Sequence, residues 1–124
     1  MTTLVLVALL GGLGAAARFV VDGTVRARWS RSFPVATLLV NVTGSALIGL
    51  LAGAVTYHGL GPDWSIPAMA GFCGGYTTFS TAMVETVRLV QSGQVRGAVL
   101  NAVGTTLACL AAAALGIAVM ALIA

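Results

Sequence analysis

The sequence predicts an all-α integral membrane protein built from four transmembrane helices. Of its 124 residues, 59% are hydrophobic and 7% charged, and the mean hydropathy is +1.05. A soluble domain of this length cannot hide that much apolar surface. The apolar residues also fall into four stretches, each near the ~20 residues that cross ~30 Å of hydrocarbon. A single domain, residues 1–124, with spans at about 3–21, 34–57, 66–90 and 95–123, is the expected organisation.

The first span carries Gly11-Gly12-Leu13-Gly14-Ala15-Ala16, a small-residue face that includes Gly12 and Ala16 four apart. Such a face lets a second helix approach closely. Leu4 to Ala17 could imitate a signal peptide, but no positive charge precedes it, so it reads as a helix. Arg18 lies near the end of this span, where it serves as a topology anchor or as an anion-attracting charge at a pore mouth. Asp22 to Phe33 is a polar interfacial connection with Arg26, Arg28, Arg31 and Trp29. Pro34 suits the first turn of the second span, on which Thr37, Asn41 and Ser45 share one face. Gly49 and Gly53 form a GxxxG pair on the same helix. His58 to Ser65 is a turn rich in breakers, with His58 read as a loop histidine.

The third span holds the most unusual stretch, Gly71-Phe72-Cys73-Gly74-Gly75-Tyr76-Thr77-Thr78-Phe79-Ser80-Thr81. It places glycines and hydroxyl residues at the depth where every backbone group must find a partner. Two readings are open: a close helix contact, or a helix broken to present carbonyls. The fourth span repeats the four-residue spacing with Asn101, Thr105 and Cys109. Cys73 and Cys109 both fall inside spans, as small packing residues.

All six basic residues are arginine, and they flank only two of the connections. The positive-inside rule puts those connections in the cytoplasm and both termini outside. A nucleic-acid partner would want a basic patch on a folded surface, which the pattern lacks. No Asp, Glu, Lys or His falls near the middle of a span. A proton-coupled exporter of the small multidrug type, which needs a carboxylate in its first span, is therefore disfavoured. An enzyme is disfavoured too, since no nucleophile–base pair or metal cluster can be assembled. What remains is neutral polarity, of the kind that replaces part of an ion's hydration shell without trapping it. Four short helices leave little room for a polar pathway and its walls, so an oligomer, most simply a dimer, is expected. The GxxxG pairs 49/53 and 71/75 are its expected contact surfaces.

Three motifs, in order, resemble the CrcB/Fluc family of fluoride channels: Gly11 to Phe19, Thr37 to Gly44, and Gly71 to Thr81. The resemblance covers nearly the whole chain. It implies an antiparallel, dual-topology dimer whose third helix breaks at its centre. It implies a buried, structural Na⁺ held by the backbone carbonyls of Gly74 and Thr77. It implies a fluoride pore in which Asn41 donates its amide, Phe79 presents its ring edge, and Ser80, Thr81 and Thr105 supply hydroxyls. The activity implied is passive export of cytoplasmic fluoride, which lowers its toxicity. Two positions depart from the family pattern: Ala82, followed by Met83, stands where a second aromatic is common, and Asn101 where helix four often has a tyrosine. Together with the arginine bias they leave homodimer and heterodimer both open.

Overall fold

The computed structural model describes residues 1–29 and 33–124 and is helical throughout its regular structure. The loop arginine Arg31 lies outside the described residues. Helix α1 spans Thr2–Arg28, α2 spans Val35–His58, and α4 spans Val95–Leu122. These three are long and apolar enough to cross a bilayer. The third expected span is divided into α3a, residues 62–76, and α3b, Phe79–Gln91.

Three helices differ from the sequence reading: α3a already begins at Pro62, inside the turn expected over His58–Ser65. The connection expected from Asp22 onward is helical as far as Arg28, so α1 runs at ~1.5 Å per residue for some 15 Å beyond Arg18. His58 is the last residue of α2 rather than a loop residue, and its Nε2 lies 3.0 Å from Met120 O near the end of α4. Gly59, at φ 69°, closes α2 in the left-handed conformation that glycine tolerates without strain.

Burial is inverted relative to a soluble protein. The buried apolar side chains are few and mostly small (Ala36, Val40, Cys73, Ala82, Leu89 and Ala98), while large ones such as Leu4, Leu9, Leu13 and Leu110 face outward. Lipid is as apolar as leucine, so helices here gain little by hiding large side chains and must gain by close packing. Glycine makes that possible. A Cβ on Gly75 would run into the Gly11 backbone of α1, and one on Gly14 into Phe72 O. On the other side of the bundle, Gly49 of α2 faces the Ala113 backbone of α4, and Gly116 faces Ala46 O.

These contacts correct the expected use of the glycine pairs. Gly49 and Gly53 pack on α4, and Gly71 and Gly75 pack on α1, all within one chain. They are consumed by the fold and are not free to form a surface between subunits. Gly12 meets nothing within 4 Å, so the close approach on α1 falls to Gly11 and Gly14.

Two π-helical turns adjust the register. Pro67–Cys73 takes up the proline inside α3a, where an α-turn would clash with the ring. Leu100–Gly104, which contains no proline, is a second π turn in α4, and Asn101 on it is 1% exposed.

Candidate functional site

The site is built on the interruption between α3a and α3b. Thr77 (φ −78°, ψ 162°) and Thr78 (φ −149°, ψ 115°) are extended, and the helix resumes at Phe79. Thr78 caps the new helix: its Oγ1 accepts from Thr81 N at 3.2 Å and donates to Thr81 Oγ1 at 3.0 Å. Both readings of the glycine-rich stretch therefore hold, at different residues. Gly71 and Gly75 make the helix contact, and the two threonines make the break.

A broken helix leaves backbone groups that must be satisfied locally. Asn41 of α2 does this for Thr78 with both ends of its amide. Nδ2 donates to Thr78 O at 2.9 Å, and Thr78 N donates to Asn41 Oδ1 at 2.7 Å. The side chain thus pairs with Thr78 much as a neighbouring strand would, at a residue only 8% exposed. Since Thr78 N is engaged by Asn41, it does not close the next helical turn onto Gly74 O. Arg18 does not run out to a helix end; its Nη1 donates to Thr77 O at 2.9 Å. Thr77 Oγ1 and N both donate to Cys73 O at 2.9 Å, which finishes α3a.

The expected site residues are partly brought together. Asn41, Phe79 and Thr105 border one groove of about 370 Å³, with Ser45 and Cys109 from the two four-spaced stripes. Arg18 and Thr81 border a second cavity of about 310 Å³ with Thr37. Gly74 and Ser80 are exposed and border neither. Phe79 is 79% exposed, so its ring stands at an open flank of the groove. Thr105 is buried and leans on Asn101 Oδ1 at 3.4 Å, which leaves its oxygen rather than its proton toward the groove.

Asn101 was legible as part of a polar stripe but not in its work. Its Nδ2 donates to Thr86 Oγ1 at 2.9 Å and to Ala82 O at 3.2 Å, which ties α4 to α3b. Ala82 is buried beneath it and also borders the groove beside Phe79, so the position that departs from the family pattern presents only a methyl group there. Glu85 pairs with Arg26 of α1 at 2.7 Å and not with its own helix's Arg88. No sequence signal links residues that far apart. Among the described residues no group of three or more His, Cys, Asp or Glu is arranged to hold a metal.

The family model described as CrcB-like protein, Camphor Resistance (CrcB), matches residues 5–117. The chain belongs to the CrcB family. Its match to the fluoride-specific ion channel FluC 1 of Leifsonia xyli subsp. xyli is 51% identical and covers 94% of this CrcB chain and 87% of the relative. The FluC 2 channel of Cutibacterium acnes is 44% identical, over 94% of this chain and 95% of its own. The FluC channel of Geobacter metallireducens is also 44% identical, with the same coverage of both chains. All the motifs that shape the break lie inside the matched region of this CrcB chain.

Proposed function

We propose that this chain is a subunit of a fluoride channel, and that fluoride leaves the cytoplasm through it by passive electrodiffusion. The observation that carries the proposal is the groove around the break. It is lined by amide, hydroxyl and backbone groups of Asn41, Ser45, Thr78 and Thr105, with an aromatic ring at its flank and no acid, base or histidine. The names of the relatives point to the same ion. Neutral donors let an anion shed part of its water and still leave, and a ring edge carries partial positive charge. Asn41 keeps one N–H beyond the one it gives to Thr78, since an amide nitrogen has two. That proton is the donor assigned to fluoride. Phe79 and Thr81 extend the route along the start of α3b.

The groove is open on one side, where Phe79 and its neighbours are exposed, and a second subunit in antiparallel orientation would close it. Arginine-rich connections in the cytoplasm and both termini outside set the orientation of this chain. A structural Na⁺ fits the chemistry at Gly74 and Thr77. Their carbonyls are hard, neutral oxygens released from helical bonding by the break. Two oxygens are too few for a cation that takes about six, so a second subunit must contribute its own. Arg18 already uses one lone pair of Thr77 O, and the guanidinium would have to move aside or share that oxygen.

The test is reconstitution of the purified chain alone in liposomes with a fluoride electrode outside. Fluoride efflux that requires a K⁺ shunt through valinomycin, with no comparable chloride efflux, is the expected result. Efflux without the shunt would overturn electrodiffusion. No efflux from this chain alone, but efflux with a similar chain of opposite arginine bias, would make the dimer a heterodimer.

A further inference from the structure

At the arginine-rich end of the bundle are two cavities, an inner one that reaches the break and an outer one that does not. The inner one, about 310 Å³, is bounded by Arg18, Asp22, Thr37 and Thr78 and so reaches the break. The outer one, about 450 Å³, is bounded by Arg26, Glu85, Arg88 and Pro34. One side chain is bonded to the walls of both. Arg26 donates Nε to Asp22 Oδ2 and Nη2 to Glu85 Oε1, each at 2.7 Å, and Nη2 lies 3.4 Å from Thr37 Oγ1. Its guanidinium therefore bridges residues of the two linings.

Glu85 is the consequential partner. Its side chain is 12% exposed, and its Oε2 is buried with no hydrogen-bond partner among the described residues. Among the described residues, the charges around it are Arg26 and Asp22 from α1 and Arg88 from its own helix. From α2 and the turn before α4 come only neutral groups, Thr37, Ser92 and Gln94. A carboxylate so placed repels an anion that passes from one cavity to the other, unless its charge is cancelled at contact distance. Arg26 meets that requirement. It is also about half exposed, so water reaches it from the outer side.

We infer that Arg26 is a charge-neutralising positioning residue: it cancels Glu85 and thereby opens the route from the outer cavity to the break for anions. The inference rests on the fluoride-channel reading. It differs from a plain structural tie between α1 and α3b, because a tie is lost equally when either partner is removed. Cancellation is lost only when the arginine goes.

The experiment compares initial fluoride efflux from liposomes for the wild type, Arg26→Gln, Arg26→Lys, Glu85→Gln and the double variant. Arg26→Gln should fall at least ~10-fold, since the Glu85 and Asp22 carboxylates then both face the anion uncancelled. Glu85→Gln should equal or exceed the wild type, Arg26→Lys should stay close to it, and the double variant should recover part of the loss, with Asp22 still uncovered. Unchanged efflux in Arg26→Gln overturns the inference, as does a double variant no better than Arg26→Gln. If Arg26→Gln does not assemble, Glu85→Gln decides alone: a ~10-fold fall there identifies a structural tie. A wild type without fluoride efflux sinks the channel reading and this inference with it. A conducting wild type with equally impaired single variants sinks only the inference.

Discussion

At the residue scale, Asn41 holds the break, and in the proposed channel it would meet the ion as well. Its amide holds Thr78 on both sides, and only the proton left over is free for an ion. Asn41→Asp changes both at once. The carboxylate keeps the acceptor for Thr78 N but opposes Thr78 O, where a donor had been. It also places a negative charge on the anion's path, worth about 4 kcal/mol of repulsion at ~4 Å and an effective dielectric of 20. A fall in fluoride efflux of about three orders of magnitude should follow, read with the same electrode assay. Near-normal efflux in that variant would remove Asn41 from the route. Arg18 shows the same compression of roles. In the sequence it is a charge near the end of a span; in the fold it satisfies a carbonyl at the break.

At the scale of elements, the decisive pair is α1 against α3a. The break can be held only if α3a is fixed close enough for Arg18 to reach Thr77, and glycine sets that distance. A side chain at Gly75 meets backbone of Gly11, which has no rotamer by which to yield. Overpacking in a well-filled contact typically costs about 1–3 kcal/mol, and backbone collision lies at the upper end. Gly75→Val should therefore lower the melting temperature of the detergent-solubilised protein and reduce recovery of monodisperse material. A matched substitution at Gly12, which meets nothing, should leave both unchanged. Equal effects at the two positions would contradict the packing described above. The clamp from Asn101 to Ala82 O and Thr86 has the same purpose on the other side, where it fixes α3b to α4.

At the scale of the whole molecule, one chain supplies half of what the proposed channel needs. It has a groove open at Phe79 and two carbonyls of the right chemistry, but neither is closed by the chain itself. If Na⁺ is held at Gly74 and Thr77 between two subunits, it stabilises the folded dimer by mass action. Above its dissociation constant each tenfold rise in Na⁺ should then add ~1.4 kcal/mol. Melting in NaCl against N-methylglucamine chloride at equal ionic strength measures this. Indifference to Na⁺ across that series would remove the cation from the assembly. The glycines of the GxxxG pairs cannot serve as the subunit contact, because both pairs are already filled within the chain.

The sequence by itself determined the membrane class and the family. Those properties follow from hydropathy summed over about twenty residues and from motif order, which need no knowledge of neighbours. It also marked the glycine-rich stretch as abnormal at membrane depth, because backbone satisfaction is a local demand. It left open how that demand is met. The tertiary structure decided that Thr77 and Thr78 are the break, that Asn41 and Arg18 hold it, and that Gly71 and Gly75 are spent on α1. It also decided that Glu85 answers to Arg26 and that Asn101 faces Ala82. Each of these joins residues far apart in the chain, and Asn101 sits on a π turn, which simple periodicity does not foresee. Partners of that kind are chosen by which helix packs beside which, and that is settled only when the whole bundle closes.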